Sequence, residues 1–484
     1  MQEKLLIGWG EADITPENAA VELSGQYYQR LATGIHSRLK TVALALEKAG
    51  QQALMLSLDL VNFPESFQTE MRRKITAEIA GLRPESIFFN AIHTHNAPYT
   101  KPSGLFRDWL PLDEKALKPA EYIAFLQEKV MLAVRQAWEA RRPGGIAPAY
   151  AQASIGHCRR AVYADGSAEM YGDTRRDDFV GLEGGEDPGV EMLFTFEADG
   201  RPSGMILNVA CPAQVMEASY EISSDYMGAV REKLKAEFSA DFHCLCQISA
   251  SGCQSPRDLL RNHHYGRFFW GPEGVEELSG RLLGCIKNAF EQSSGRVDFS
   301  PVFLHHCQRL QLPVRRASWQ DYCLAQKQLQ ALLTEQGEHE AFIDFCRQTR
   351  NNEAVPERSG PFDDKLHHFV QIQNRKAIIK RYLSQDETPY FSFDMQSLRL
   401  GQSAMINCPF ELYLHYAQII KARSVARQSF VVQLSGGSGS YLPSPEAERL
   451  GGYGGMIING IVGSEGGYML ADSAIAAIAR LFED

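Results

Sequence analysis

Short apolar segments alternate with amphipathic segments of helical periodicity through roughly the first 300 residues of this 484-residue chain. Strands that alternate with helices predict an α/β fold, in which layers of helices pack against sheets. The hydrophobic fraction of 44% is enough for a large core, so the chain needs no disulfide scaffold. The pattern predicts strands at residues 41–47, 53–60, 86–92, 191–196 and 205–210, and helices at residues 69–79, 121–140, 226–238 and 275–290.

The segment from residue 318 to 384 is more polar and carries apolar residues at helical spacing, which predicts a helical hairpin inserted into the α/β fold. No internal repeat is apparent in the amino-acid sequence. We therefore expect one large domain over residues 1–484, with the insertion 318–384 within it. Strand patterns return at residues 391–400, 403–408 and 430–434, and a last helix is predicted at residues 471–482.

The charge balance excludes one class of partner, because 49 basic residues stand against 59 acidic ones. A net charge of −10 lacks the basic surface of a nucleic-acid-binding protein. The first residues lack the basic and apolar regions of a signal peptide, and no apolar run is long enough to predict a membrane span. We expect a cytoplasmic protein whose ten cysteines are reduced thiols.

The most informative motif is Asn-Ala-Ile-His-Thr-His-Asn-Ala-Pro, residues 90–98, directly after an apolar strand. Proteins of the α/β class usually place their binding sites at such strand ends. In an extended backbone the side chains of His93 and His95 point to the same side, so both can line one pocket. They suit two metal ligands, or one ligand with a proton-transfer partner, or a structural pair of hydrogen-bonded histidines.

Three further residues are candidates for chemistry. Ser255 lies in a turn of small residues, 249–257, that follows a predicted strand; it is either a nucleophile or an ordinary turn serine. Glu411 follows the strand 403–408, and Tyr441 follows a glycine-rich segment about 30 residues later. A carboxylate and a phenol are hard donors that suit zinc, although neither residue forms a recognisable motif alone.

Arginines concentrate in the loops, as the pairs Arg159–Arg160 and Arg175–Arg176 and as Arg257 beside the serine turn. The planar guanidinium fork suits a carboxylate or a phosphate. Arg159, Arg175, Arg176 and Arg257 are therefore candidate substrate-binding residues, and solvated surface arginines are the alternative. An acidic small molecule or oligosaccharide is the partner that these residues suggest.

Taken in order along the chain, several short motifs resemble the neutral/alkaline (non-lysosomal) ceramidase family. The resemblance covers nearly the whole chain except the segment 318–384. It implies a layered α/β sandwich with mixed sheets, as a single ceramidase-like catalytic domain. The motifs are residues 8–10, 12–16, 34–39, 93–98, 208–211, 223–228, 252–257, 409–411, 441–446 and 451–453.

Enzymes of that family are zinc-dependent amidohydrolases that split ceramide into sphingosine and a fatty acid. By motif, His93 matches the first zinc histidine, Glu411 the zinc glutamate and Tyr441 the zinc tyrosine. The resemblance therefore implies zinc as the cofactor. It also implies catalytic roles for His95, Arg160, Ser255 and Tyr441.

The chain departs from the family at two positions. The family carries a second zinc histidine after the strand 205–210, where this chain reads Ala-Cys-Pro-Ala. Either Cys211 supplies a thiolate in its place, or His95 takes over as a ligand, or three ligands suffice, or the metal is lost. Cys253 also replaces the aspartate of the family's Gly-Asp-x-Ser-Pro turn.

Three functions are compatible with these observations. The first is a metal-dependent hydrolase that cleaves an amide-type bond in a soluble polar substrate rather than in ceramide. The second is a carbohydrate-active enzyme, a lyase or glycosidase for a uronate-containing sugar, on the same scaffold. The third is a non-catalytic binding relative, and a homo-oligomer is compatible with all three.

Overall fold

The computed structural model describes residues 3–17, 20–26, 30–101, 116–261, 270–353 and 367–483. Helices lie on the outside of two β-sheets, and both sheets contain parallel and antiparallel strands. The α/β class with mixed sheets is therefore confirmed. Within the described segments, no helix has the combination of length and apolar composition that crossing a membrane requires.

The larger sheet has eight strands. In chain order they are β1 (Leu6–Asp13), β2 (Lys40–Lys48), β3 (Gln51–Leu58), β4 (Ile87–Ala91), β5 (Arg142–Gln152), β6 (Gly189–Glu197), β7 (Pro202–Val209) and β8 (His243–Ile248). Their order across the sheet is β8-β7-β6-β5-β1-β2-β3-β4. The pairs β3–β4 and β7–β8 are parallel, and the other neighbours are antiparallel.

The smaller sheet has four strands, and their order across the sheet is the same as their order in the chain. They are β9 (Phe303–Pro313), β10 (Tyr390–Leu400), β11 (Ser403–Asn407) and β12 (Gln428–Val432). Only the last pair, β11–β12, is parallel. Short strands pair outside both sheets: Arg160–Tyr163 with Ala168–Met170 and Phe179–Leu182, Glu22–Leu23 with Arg30–Leu31, Gly34–Ile35 with Glu221–Ile222, His157–Cys158 with Gln254–Ser255, and Glu411–Leu412 with Tyr441–Leu442.

The α-helices are α1 (Glu65–Glu78), α2 (Pro119–Glu139), α3 (Asp225–Glu237), α4 (Gly271–Ser293), α5 (Trp319–Glu335), α6 (Glu338–Glu353), α7 (His368–Ser384), α8 (Leu414–Arg423), α9 (Pro445–Leu450) and α10 (Ser464–Leu481). Short 3-10 helices occupy Pro84–Ser86, Ser294–Arg296 and Ile457–Asn459.

Three units of the same topology make up the two sheets. In each unit, three antiparallel strands lead through a helix to a fourth strand, which is parallel to the third. The units are β1–β4 with α1, β5–β8 with α3, and β9–β12 with α8. The repeat lies in the connections between elements and not in residue identities, which is why the sequence shows no repeat.

Each unit has its own hydrophobic cluster between its strands and its helices. A fourth cluster contains residues of all three units, among them Trp9, Leu245 and Phe430. Alternate side chains of one strand serve different clusters: Leu44 points into the shared cluster, and Ala43 packs toward the helices of its own unit. The inner faces of the units therefore meet in one central core, with the helices outside.

Most predicted elements match observed ones to within a few residues, but β5 and β9 are absent from the prediction. Residues 142–145 indicate the end of a helix, yet β5 starts there. Backbone crowding explains the glycines. A Cβ atom on Gly144 would lie 2.5 Å from the carbonyl oxygen of Phe196, and one on Gly145 would lie 2.6 Å from Val297. Glycine here allows close approach of other chain segments rather than a turn.

The insertion between β9 and β10 contains the three helices α5, α6 and α7 rather than the hairpin that the sequence predicts. The link between α6 and α7 lies outside the described residues. Tyr220 of the second unit packs against the hydrophobic cluster of the insertion. Arg381 of α7 donates a hydrogen bond to the carbonyl oxygen of Gly460 at 2.9 Å. The insertion is thus attached to both the second and the third unit.

Candidate functional site

The fourth strands of the three units meet at their C-terminal ends. Ala91, at the end of β4, donates its backbone N–H to Leu434 O at 3.4 Å. Gln433, after β12, donates to Ile248 O at the end of β8, at 3.0 Å. A cavity of about 250 Å³ opens beside this junction. It is lined by Ser24, Gly25, Gln26, Val61, Asn62, His93, His95, Tyr99, Thr100, Lys101, Glu411, Tyr441 and Tyr453.

His93 presents an unprotonated ring nitrogen to this cavity. Its Nδ1 lies 2.8 Å from the carbonyl oxygen of Val61, so Nδ1 carries the proton and Nε2 the lone pair. Nε2 lies 3.7 Å from Oε2 of Glu411. Burial lowers the pKa of His93 to about 4, so the ring is neutral at pH 7. Its backbone φ of 63° is unusual for a residue with a side chain and is typical of functional sites.

His95 is held by a buried carboxylate on one side and an amide on the other. Its Nδ1 lies 3.0 Å from Oε2 of Glu217, which places the Nδ1 proton in that contact. Its Nε2 lies 2.7 Å from Nε2 of Gln214 and 3.4 Å from Nε2 of His93. Burial opposes ionisation of Glu217, but the hydrogen bond from His95 lowers the pKa of this carboxyl below its usual value.

The residues between and after the two histidines point to the opposite side. The hydroxyl of Thr94 donates to Ser223 O at 2.6 Å, and the amide of Asn96 donates to Glu221 O at 2.9 Å. These bonds attach the histidine segment to the loop that precedes α3. The imidazoles of His93 and His95 are consequently left on the cavity side.

Glu411 and Tyr441 lie next to each other because their short strands pair in parallel register. Burial and the neighbouring Glu411 carboxylate, with which the phenol forms a hydrogen bond, raise the pKa of Tyr441 well above its usual value. Arg159 donates from Nη2 to the phenol oxygen at 3.2 Å. The structure therefore brings His93, His95, Glu411 and Tyr441 together at one cavity.

The structure places Arg159, and not Arg160, beside these residues. Arg159 is 3% exposed, and its Nη1 lies 3.5 Å from Oε1 of Gln214. Arg160 points away, pairs with Glu183 at 2.5 Å and donates to backbone oxygens of the segment 451–453. Successive side chains of an extended segment point to opposite sides, so Arg160, the arginine that the resemblance implies for catalysis, lies away from the cavity residues, and its neighbour Arg159 lies beside them.

Ser255 and Arg257 lie behind the cavity lining rather than on it. The Ser255 hydroxyl accepts the backbone N–H of Arg257 at 3.1 Å and hydrogen-bonds with the phenol of Tyr171. Tyr171 in turn accepts from Nη1 of Arg159 at 3.3 Å. The Arg257 guanidinium stacks on Tyr171 and Trp270. Tyr171 and Arg159 thus connect Ser255 and Arg257 to the cavity residues.

Cys211 does not reach the cavity. It is fully buried in the core of the second unit, and its thiol donates to Ile155 O at 3.4 Å. Burial raises the pKa of the Cys211 thiol well above its usual value, which disfavours the thiolate that a metal needs. The expectation that this thiol replaces the missing histidine is therefore wrong. Cys253 is buried beside Tyr413 and Tyr441 and accepts the backbone N–H of Leu414 at 3.5 Å.

Arg175 and Arg176 belong to the protein surface. Arg175 is 61% exposed and pairs with Asp173. Arg176 pairs with Glu169 and Asp178. Neither lines the cavity, so the structure contradicts their assignment to substrate binding. Their spacing in the sequence does not distinguish an exposed hairpin from a site loop.

Sequence reasoning missed three residues of the site: Gln214, Glu217 and Lys101. Gln214 and Glu217 follow β7, the third strand of the second unit, where the family resemblance places the second zinc histidine. Glu217 directly follows the segment 211–216, in which Gln214 is the one polar residue. A carboxylate next to such an apolar segment is rarely buried without a partner, and this was the available signal for a paired glutamate. Lys101 follows the histidine motif by a few residues.

The spacing of His93 and Glu411 at the cavity suits two ligands of one zinc ion. Zinc–ligand bonds of about 2.1 Å in tetrahedral geometry separate the donor atoms by about 3.4 Å. The distance of 3.7 Å between His93 Nε2 and Glu411 Oε2 is close to this value. Within the described residues, no three His, Cys, Asp or Glu side chains are arranged to hold a metal. A third protein ligand must therefore be of another residue type, and the phenol of Tyr441 is the candidate at the cavity.

Comparison with known proteins identifies the architecture. A scan against protein families gives no match. The curated neutral ceramidase of Pseudomonas aeruginosa is 23% identical over 205 residues, which cover 41% of this chain and 28% of that protein. The matched region thus spans little more than a quarter of that relative's length.

Two solved structures cover almost all of this chain. A ceramidase complexed with C2 and the neutral ceramidase of Pseudomonas aeruginosa each have a TM-score of 0.68 and 17% identity. Both cover 99% of this chain, and this chain covers 76% and 75% of theirs. Fold and site define an α/β protein whose cavity lies at converging strand ends. More specifically, the chain has a neutral ceramidase-like fold, which confirms the resemblance at the level of the fold.

Proposed function

We propose that this chain is a metal-dependent hydrolase that cleaves an amide-type bond in a polar substrate other than ceramide. The observation that carries the proposal is the neutral Nε2 of His93 directed at Glu411, with Tyr441 hydrogen-bonded to the same carboxylate. In a neutral ceramidase-like fold, this set of donors is the one that the family resemblance implies for zinc.

His93, Glu411 and Tyr441 would hold the ion. When bound, zinc supplies Lewis acidity toward a carbonyl oxygen and toward a water molecule. The guanidinium of Arg159 favours negative charge on the phenol oxygen of Tyr441, to which it donates a hydrogen bond.

His95 is the residue that would move the proton. Glu217 accepts from Nδ1, which fixes the tautomer and stabilises the imidazolium that forms when Nε2 takes a proton. In the resting state Gln214 donates to Nε2 and thereby orients the ring toward the cavity, and this hydrogen bond breaks when Nε2 takes the proton. The same imidazolium can then deliver the proton to the leaving amine.

The cavity supports a polar substrate. Its volume of about 250 Å³ lies below the roughly 300–1,000 Å³ of pockets for drug-sized ligands. Gln26, Asn62 and Lys101 give its lining polar and charged groups. These groups are partners for polar and charged groups of a substrate.

A carbohydrate lyase is the second candidate, and one observation favours it. The pair His95–Glu217 is complete without a metal, and a histidine oriented by a carboxylate is a suitable base for removing a proton beside a uronate carboxylate. An ultraviolet-absorbing unsaturated product from uronate-containing oligosaccharides would support this candidate. A release of amine from amides without such a product would support the hydrolase.

The test of the proposed hydrolase is amine release from a panel of soluble N-acyl amides. It compares the chelator-treated protein, the same protein reconstituted with zinc, and the variant His93→Gln. We expect activity to be lost on chelation, restored by zinc, and absent from His93→Gln. The variant His305→Gln is the matched control, since His305 is a partly buried histidine whose pKa is also lowered by burial but which does not line the cavity. Full activity of metal-free protein would contradict the proposal.

A further inference from the structure

Lys101 is a charged residue of the cavity with no assigned role. It lines the same cavity as His93, His95 and Glu411. Its Nζ lies 3.3 Å from the hydroxyl of Ser438. No carboxylate of the described segments forms an ion pair with it, and Glu411 interacts with it only over a longer distance.

Two other partly buried lysines have carboxylate partners at contact distance, whereas Nζ of the partly buried Lys48 donates to the carbonyl oxygen of Pro301. Nζ of Lys421 lies 2.9 Å from Asp187 and 3.2 Å from Glu191. Nζ of Lys40 lies 3.0 Å from Glu11. Burial of an ammonium group is costly unless an anion compensates it. Within the described segments, Lys101 is thus a partly buried cation that lines the cavity and has no carboxylate at contact distance.

Burial lowers the pKa of the Lys101 ammonium group, because desolvation disfavours its charged form. The Glu411 carboxylate opposes this effect but is itself engaged by the phenol of Tyr441 and lies near His93. No direct contact within the described part of the chain thus neutralises the charge of Lys101, and an anion entering the cavity would supply one.

We infer that Lys101 binds a carboxylate of the substrate, so that the substrate is a small amide that also carries a carboxylic acid. The inference rests on the proposed function for the amide bond. A singly charged carboxylate fits better than a phosphate ester, since Glu411 in the same cavity repels additional negative charge. Lysine also recognises an anion as a point charge, which requires no bidentate geometry.

The test is a binding experiment with two probes that differ only in charge. N-acetylglycine carries an acetamide and a carboxylate, and N-acetylglycinamide carries a neutral amide in place of the carboxylate. Calorimetric titration of the full-length protein, both metal-loaded and chelator-treated, gives the two dissociation constants without relying on turnover. We expect N-acetylglycine to bind at least tenfold more tightly.

Three variants separate charge from packing. Lys101→Met keeps most of the side-chain length and should abolish the tenfold preference, while Lys101→Arg keeps the charge and should retain part of it. Lys74→Met is the control, because Lys74 contacts Gln127 and Glu70 on the outer helices and should leave the preference unchanged.

Equal affinities in the wild type, or a preference that survives in Lys101→Met, would overturn the inference. Loss of zinc from Lys101→Met without any change in probe preference would also overturn it, because Lys101 would then only balance the charge of Glu411. If no metal form hydrolyses any amide while the preference holds, the proposed hydrolase fails and the carboxylate site stands.

Discussion

Arg159 and Arg160 are neighbours in the chain but serve different purposes, because an extended backbone directs them to opposite sides. Arg160 satisfies the buried Glu183 and holds the segment 451–453 beside the site. Arg159 has no carboxylate partner among the residues described, and its hydrogen bonds go to Gly252 O, Tyr441, Tyr171 and Gln214. Arg160 therefore stabilises the fold, whereas Arg159 interacts with the residues of the site.

Substitution of each arginine by methionine should separate these roles. Arg160→Met leaves Glu183 as an uncompensated buried charge, so we expect the free energy of unfolding to fall by about 3–5 kcal/mol. Arg159→Met should lower kcat by about 100-fold with a smaller loss of stability, since it removes a donor at the reacting groups. Chemical denaturation and steady-state kinetics measure both effects. A larger stability loss in Arg159→Met would contradict this division.

The His95–Glu217 pair gives a second prediction at this scale. Glu217→Gln keeps the size of the side chain but cannot stabilise an imidazolium, so kcat should fall about 10- to 100-fold. Glu186→Gln is the control, because Glu186 lies 2.9 Å from Nδ1 of His157 in a similar contact away from the cavity. Its activity should match that of the wild type. An unchanged kcat in Glu217→Gln would remove the pair from the mechanism.

For single residues, the sequence predicted which side chains line the site better than it predicted their hydrogen-bond partners. His93, His95, Glu411 and Tyr441 come together, as the motifs imply. The choice between Arg159 and Arg160 depends on strand register, and a shift of one residue reverses the side. Glu217 and Gln214 escaped prediction because their contacts with His95 span more than 100 residues of sequence.

At the scale of elements, the loops at strand ends determine how the imidazoles are oriented. Gly25 has a φ of 96° and lies against His95: a Cβ atom there would be 2.4 Å from Cγ of the imidazole. The segment around Gly25 connects β1 with β2 in the first unit. This connection therefore forms a wall of the site and not only a link between strands.

Gly25→Ala tests that wall. The added methyl group must displace His95, so we expect kcat to fall at least about 10-fold. Gly50→Ala is the matched control, since Gly50 has a φ of 77° with nothing within 4 Å of the added Cβ. Both variants carry the backbone strain of about 1 kcal/mol, but only Gly25→Ala contacts the site. Similar kinetics in the two variants would rule out a role for this wall.

The elements themselves follow from the sequence where apolar periodicity is clear, as in β2, β3 and α2. The strands β5 and β9 escaped prediction for different reasons. Glycines at 144 and 145 resemble a helix stop, but the structure needs them for close contacts. Most residues of β9 are partly buried or exposed, so this strand lacks a continuous apolar run.

At the scale of the whole molecule, three units of one topology converge so that their parallel strand pairs end at one cavity. His93 and His95 come from the first unit, Gln214 and Glu217 from the second, and Glu411 and Tyr441 from the third. No unit contains a complete site, so the chemistry depends on the central core that joins the units. The repeat was not predictable from the sequence because it resides in connectivity alone.

The burial of His93 should be visible in the stability of the whole molecule. Burial lowers its pKa from 6.5 to about 4, so the unfolded chain binds a proton before the native protein does as the pH falls. The free energy of unfolding should therefore decrease between pH 6.5 and 4, by up to about 3 kcal/mol from this residue. Chelator-treated His93→Gln should show a shallower decrease over this interval. If the free energy of unfolding depends on pH identically in the chelator-treated wild type and in chelator-treated His93→Gln, the burial of a neutral imidazole is contradicted.

We propose that His93, Glu411 and Tyr441 hold a metal ion, and elemental analysis of the purified protein measures this ion. After purification in the presence of zinc and removal of unbound ions, we expect about one zinc per chain in the wild type and in His305→Gln. His93→Gln and Glu411→Gln should each lose most of the metal while they retain the fold. A wild type without metal, or a His93→Gln variant that holds as much zinc as the wild type, would contradict the account.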